Sequence, residues 1–248
     1  MTIRSVTADN ASAMTLDGTR THIAGNGRVV IIDPGPKDKK HLKAVFNVLR
    51  ATPVNAILLT HTHPDHAAGA ELFAEAFDAP VLAYEFGNLA DDETLPTDEG
   101  EIRALHTPGH TGDSTSFEFG DVIFCGDLMM GGHDTALVAR PEGNLSKYLK
   151  SLDRIESRNP SRIVPTHGPD IVDPAAAIER YRQHRVARVE QVYNAMMSGA
   201  TDAHTVVDKV YGHFLDPSLR AYAEGAIEAY LHHLREIGRL PMPGADTV

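Results

Sequence analysis

The sequence predicts a layered α/β, or α+β, protein that closes with a helical C-terminal part. Three observations carry this reading. Up to about residue 173, short β-rich runs alternate with segments whose apolar residues recur at helical spacing. From 174 to 240 the pattern becomes almost wholly helical. Between a buried-strand run and a helix stands His61-Thr62-His63-Pro64-Asp65-His66, three histidines and an aspartate within six residues. The expected organisation is a first domain over 1–173 and a helical subdomain over 174–248.

Each element follows from local pattern. Residues 21–25 and 28–32 are short and β-rich and flank Asn26-Gly27, a hairpin dipeptide. Asp33-Pro34-Gly35-Pro36 then breaks the chain. Leu42, Val45, Phe46 and Leu49 give a helix over 38–50, and 54–60 is a continuous apolar run typical of a buried strand. A helix is expected over 67–77, a strand over 81–84 and a polar surface loop over 87–100. Strands are predicted at 102–107, 114–119 and 121–125, a helix at 143–156 and a last strand at 162–165. In the C-terminal part Asp216-Pro217 is a helix start, followed by an apolar stripe from Leu219 through Tyr222, Ile227 and Tyr230 to Leu234, and Gly238 ends it.

Bulk composition excludes several classes. With 42% hydrophobic and 23% charged residues, the chain can fill a core and is not disordered. Its formal charge of -11 disfavours broad electrostatic binding to nucleic acid. The opening MTIRSVTADN has no apolar stretch of signal-peptide type, and no run of about 20 apolar residues is present, so no membrane contact is expected. The single cysteine, Cys125, rules out an internal disulfide and fits a reducing cytoplasm.

Imidazole and carboxylate groups are ligands for zinc, iron or manganese. Four of them in six residues are too crowded for one tetrahedral ion and suit two ions side by side. Further ligands stand in similar settings, each after a strand and beside a glycine: His110 in TPGHTG, Asp127 in FCGD and His167 in VPTHGP. Singly each has a plain reading as a turn residue. Their shared placement with the cluster argues for one site.

These motifs, with Asp33-Pro34-Gly35, resemble the metallo-β-lactamase superfamily over roughly residues 10–175. The resemblance implies an αββα sandwich with a metal site at one edge of its two sheets, and makes the first domain the catalytic one. It implies His61, His63 and His110 on one metal and Asp65, His66 and His167 on a second, with Asp127 bridging. MTLDGT, EGNLSKYLKSLDRI and HGPDIVDPAAAIERYRQHRVARVEQV look like the lactamase-beta-2-like branch, whose members carry a small winged-helix-like C-terminal region and include a ribonuclease for single-stranded RNA. Where that branch reads T-N-T-Y, this chain has Thr19-Arg20-Thr21-His22.

The implied cofactors are two divalent ions, zinc foremost, with manganese or iron accepted by the same donors. Ions sharing Asp127 would share a water and lower its pKa, giving hydroxide near neutral pH. Asp65 is the catalytic candidate: held through one oxygen, it would orient the hydroxide and carry its proton with the other. Asp33 and His106 are candidates for supporting the ligands. Cys125 is read as a packed strand residue. A bridging aspartate resembles the arrangement of glyoxalase II, lactonases and phosphodiesterases, and His63 stands where oxygen-reducing di-iron relatives carry glutamate. The expected function is a dinuclear hydrolase of a small ester, thioester, lactone or amide. The alternative is an endoribonuclease using Arg180, Arg182, Arg185 and Arg188 for phosphate contacts. A small-molecule substrate is the expected partner, RNA the alternative, and a homodimer is left open.

Overall fold

The computed structural model describes residues 1–133 and 135–242. Two five-stranded sheets form its centre. The first takes β1 (Ile3–Thr7), β2 (Arg20–Ala24), β3 (Val29–Ile32), β4 (Val54–Leu58) and β5 (Val81–Leu82) in sequence order. Its first three strands are antiparallel, and β3, β4 and β5 run parallel. The second sheet takes β6 (Thr94–Thr97), β7 (Gly100–His106), β8 (Thr115–Phe119), β9 (Val122–Gly126) and β10 (Arg162–Pro165), antiparallel except for the β9–β10 pair.

Side chains on a strand alternate between faces, and here both faces of each sheet are covered. In β3, Val30 and Ile32 join Ala56, Leu58, Phe117, Phe119 and Phe124 in the core between the sheets. Val29 and Ile31 face the other way, onto Val45 and Leu49 of α1 (Lys39–Leu49) and Phe73 of α3 (Ala70–Phe77). On the outer face of the second sheet, Ile123, Cys125 and Ile163 meet Tyr148, Leu152 and Ile155 of α4 (Leu145–Ser157). The same apolar cluster runs on into α5 (Pro174–Met197), α6 (Ala203–Tyr211) and α7 (Arg220–Glu236). The layers are therefore helix, sheet, sheet, helix.

The structure departs from the sequence pattern in several places. The helix expected over 67–77 is two helices, α2 (Pro64–Ala67) and α3, separated at Gly69, where a Cβ would press on the Pro36 carbonyl at 2.9 Å. The loop expected over 87–100 contains β6, with Leu89 and Leu95 buried. An edge strand with one polar side and an internal Pro96 carries too little alternation to be read locally. The edge strand β1 carries no local signal for the same reason. Past residue 174 the described residues hold only helices and two 3-10 turns, Gly212–Phe214 and Pro217–Leu219, so no strand of a winged helix lies among them. Asp216-Pro217 does start a helical segment, but as a 3-10 turn leading into α7.

The arginine run needs correction as a phosphate-binding face. Arg185 is 3% exposed; it donates to the Tyr230 hydroxyl and the Ala136 carbonyl and lies 4.8 Å over the Tyr148 ring. Arg182 is tied to Asp153, Glu156 and Glu179, and Arg188 stacks on Tyr211. Packing of α5 against α7 and α4 turns these cations inward. Helical periodicity alone does not say which face is covered.

Candidate metal centre

Sequence-distant loops meet at one edge of the sandwich. His61, His63, Asp65 and His66 follow β4, His110 lies between β7 and β8, Asp127 follows β9 and His167 follows β10. Glycines make two of these approaches. Gly126, at φ +54°, would put a Cβ 2.7 Å from Thr60, so only glycine lets the end of β9 close on the end of β4 with Asp127 next in line. Gly109, at φ +145°, would drive a Cβ into the backbone of Tyr148, and it sets His110 against the start of α4.

The ligand-type atoms converge. His63 Nδ1 lies 3.0 Å from His61 Nε2 and 3.1 Å from His110 Nε2. On the other side, His167 Nε2 is 3.2 Å from Asp65 Oδ2, and His66 Nε2 is 3.7 Å from the same oxygen. Between them, Asp127 Oδ1 is 3.4 Å from His66 Nε2 and 3.5 Å from His167 Nε2, while Oδ2 is 3.7 Å from His110 Nε2. Three sets have their atoms within 4.8 Å of one another: His61, His63, His110; His61, His66, Asp127; and Asp65, His66, His167. All seven residues expected to bind metal thus stand together.

The residues present fit divalent cations. His66 Nε2, His167 Nε2 and Asp127 Oδ1 are buried with no hydrogen-bond partner. Unpaired buried polar atoms are costly, and three facing one another need a common partner. The opposite ring nitrogens are all engaged, as in histidine ligands oriented from behind. His66 Nδ1 donates to Asp33 Oδ2 (2.8 Å), His110 Nδ1 to the Leu137 carbonyl (2.7 Å) and His167 Nδ1 to the Gly18 carbonyl (3.3 Å). His63 Nε2 meets Glu142 Oε2 at 2.8 Å, and His61 Nδ1 lies 3.2 Å from Thr60 Oγ1.

Electrostatics divide the cluster into neutral nitrogen donors and a His66 whose proton a cation would have to displace. Burial, together with the neighbouring imidazoles, holds His61 well below the usual histidine range, and burial also lowers His110, so both are neutral donors. Burial opposes charge on His66, yet the carboxylates of Asp127 and Asp33 outweigh it and hold its pKa well above normal. Asp127 is held well below the carboxylate range because His66, His110 and His167 overcome its desolvation.

Asp33 serves as expected, behind the ligands. Fully buried at φ +52°, it accepts from Thr60 N, Thr60 Oγ1, Thr166 Oγ1 and His66 Nδ1 at 2.7–2.8 Å, so one carboxylate fixes parts of two ligand-bearing loops, those after β4 and β10. His106 does not support the ligands: it stacks on Tyr84 at 3.8 Å and bonds the Gly112 carbonyl. Cys125 is a buried strand residue whose thiol is pushed up to about 12 by burial, so it is inert. Asp113, Glu142 and the Leu137 carbonyl escaped the sequence reading. Asp113, which accepts from Thr62 N and Oγ1, was the most accessible of them, because it directly follows the TPGHTG segment.

The sequence profile described as "Metallo-beta-lactamase superfamily" matches residues 21–87 and 82–167. The chain belongs to this superfamily. It is a metallo-beta-lactamase-fold hydrolase, and 35% identity links it to a "Beta-lactamase-like protein 2 homolog" of Drosophila melanogaster, over 74% of this chain and 70% of that one. A similar relative at 28% identity, covering 95% of this chain and 76% of its own length, is an "Atrochrysone carboxyl ACP thioesterase" of Passalora fulva. Among solved structures, the metallo-beta-lactamase family protein TTHA1429 of Thermus thermophilus superposes with a TM-score of 0.80 at 21% identity, covering 95% of this chain and 94% of the other.

Within this metallo-beta-lactamase fold, Arg20 and His22 take a supporting place. Arg20 donates to the Gly168 carbonyl at 2.9 Å and pairs with Asp170 at 2.7 Å, while His22 Nε2 donates to the Pro165 carbonyl at 3.1 Å. Both clamp the turn that carries His167. Burial and the adjacent Arg20 charge push His22 down to about 3. The unfolded chain takes up a proton near pH 6.5 that the folded chain refuses until about pH 3, so stability is present above pH 6.5 and falls as pH drops through this window. The loss approaches about 1.4 kcal/mol per pH unit. His22→Gln is expected to flatten this acid limb in urea unfolding measured from pH 7 to 4; coincident limbs in both proteins would refute it.

Proposed function

We propose that this hydrolase uses two divalent cations to cleave a small thioester or ester. One observation carries the two-cation reading: the two oxygens of Asp127 face different histidine sets, Oδ1 toward His66 and His167 and Oδ2 toward His110. In this scheme His61, His63 and His110 would hold one ion, Asp65, His66 and His167 would hold the other, and Asp127 would contribute to both. Such cations, when bound, lower the pKa of water toward neutrality and polarise a carbonyl oxygen. Zinc is the expected metal, since the donors are nitrogen-rich and carboxylate; manganese or iron suits the same set.

Asp65 is the proton carrier. Its Oδ2 is turned to His167, its side chain is partly exposed, and its carboxyl lies below the usual range despite partial burial, through the His167 and His66 interactions. At neutral pH it is therefore an acceptor. The water oxygen adds to the acyl carbon, one water proton passes to Asp65 Oδ1, and the C–S or C–O bond breaks. The departing sulfur or oxygen takes that proton, leaving an acid and a thiol or alcohol. The thioester preference is supported by the thioesterase relative and by apolar space beside the centre. A lone buried thiol accords with the cytoplasm as the place of action.

The decisive experiment loads the full chain with zinc, manganese or iron, counts bound metal, and offers acyl thioesters, p-nitrophenyl esters, a lactone, a cephalosporin and single-stranded RNA. Thioester or ester turnover that a chelator abolishes is expected. RNA cleavage without ester or thioester turnover would overturn the reading in favour of a nuclease.

A further inference from the structure

A cavity of about 390 Å³ lies between the N-terminal loop at Ala13–Leu16, residues 130, 133 and 135–138, and helices α5 and α7. This is within the range of small-ligand sites, roughly 300–1,000 Å³. A second cavity of about 260 Å³ is lined by His63 and His110, two of the metal-ligand candidates. Leu137 and Tyr222 line both, so the chambers meet at a shared wall. Leu137 also accepts from His110 Nδ1 through its carbonyl, which places the wall directly against the centre.

We propose that the larger chamber seats the apolar acyl chain of the substrate while the scissile carbonyl lies at the cations beside His63 and His110. This rests on the hydrolase reading above and names its substrate class: thioesters or esters of medium-length or bulky apolar acids, rather than acetyl or formyl esters. Three of the chain's exposed large apolar side chains, Met14 (41%), Leu219 (40%) and Tyr222 (49%), line this one concave surface. Apolar groups left open to water inside a pocket mark a binding site and gain when an apolar occupant displaces that water. Among the described lining residues the arginines, Arg185 and Arg188, are engaged with the Tyr230 hydroxyl, the Ala136 carbonyl and the Tyr211 ring, and most of the rest are apolar. The back of the chamber is preformed, because Arg185 braces it through Tyr230 and the Ala136 carbonyl.

The test uses the metal-loaded full chain and S-acyl thioesters of N-acetylcysteamine from acetyl to decanoyl. Within the chamber's length kcat/KM is expected to rise about fourfold per methylene and then level off. Non-hydrolysable S-alkyl thioethers of the same thiol, followed by calorimetry, should tighten by a similar factor per methylene. Ala226→Phe, which fills the chamber from α7, should cut long-chain kcat/KM and thioether binding more than about tenfold and short-chain turnover far less; Met14→Trp, on an exposed loop, provides a second filling should the first disturb folding. Active hydrolysis with no chain-length dependence, or a dependence that neither variant alters, would overturn the chamber and leave the hydrolase reading intact. Absence of thioester and ester hydrolysis with chain-length-dependent thioether binding that the variants abolish would overturn the thioester and ester reading and support the chamber.

Discussion

Replacing Asp127 by alanine is expected to lower turnover by about a thousandfold or more and to reduce bound metal by at least one equivalent per chain. The magnitude follows from the several kcal/mol that a cation contributes to charge stabilisation during hydrolysis. Asp127 is the carboxylate whose oxygens reach both histidine sets, and its Oδ1 has no partner within the protein. Its removal leaves His61, His63 and His110 as one set of three nitrogens, which can still retain an ion. Elemental analysis and steady-state kinetics on the same sample check this. Full metal content in Asp127→Ala would show that the carboxylate does not join the ions. Full activity would remove it from the chemistry altogether.

Asp33→Ala is expected to cost stability on the order of 3–5 kcal/mol and to weaken metal binding by about 10–100-fold, without removing any ligand. The reason is geometric. One buried carboxylate accepts from His66, Thr60 and Thr166, and so ties the ends of β4 and β10 to the turn after β3. Without it, the His66 ring loses the acceptor that orients it, and two hydroxyl donors are left buried. His66, held above its normal pKa partly by Asp33, also binds its proton less tightly. Urea unfolding of the metal-free protein and a competition titration with a coloured chelator separate the two effects. Unchanged metal affinity together with lowered stability would make Asp33 a folding residue only.

Much of this centre is legible in the chain itself because ligand chemistry is intrinsic to residue type. The box from His61 to His66 follows an apolar run that becomes β4, and His110, Asp127 and His167 each follow a strand and sit beside glycine. A strand end beside a tight turn is where a sheet can hold a side chain rigidly, so spacing and neighbours suffice. Edge strands β1 and β6 were not legible, since one covered face gives no alternation strong enough to stand out from loop. The arginines of α5 were misleading for a related reason: charge and period were visible, but the partner layer was not.

By itself, then, the sequence determined which candidate ligands are available, the order of strands and helices apart from the edge strands β1 and β6, and the helical character beyond residue 174. Tertiary structure alone decided that Arg185 is buried, that Glu142 and the Leu137 carbonyl stand behind His63 and His110, and that an apolar chamber opens beside them. Those features arise where α5 and α7 pack across residues 135–143, between residues tens of positions apart. Local periodicity fixes which face of a helix is apolar; which neighbour that face meets is decided only when the whole chain is packed.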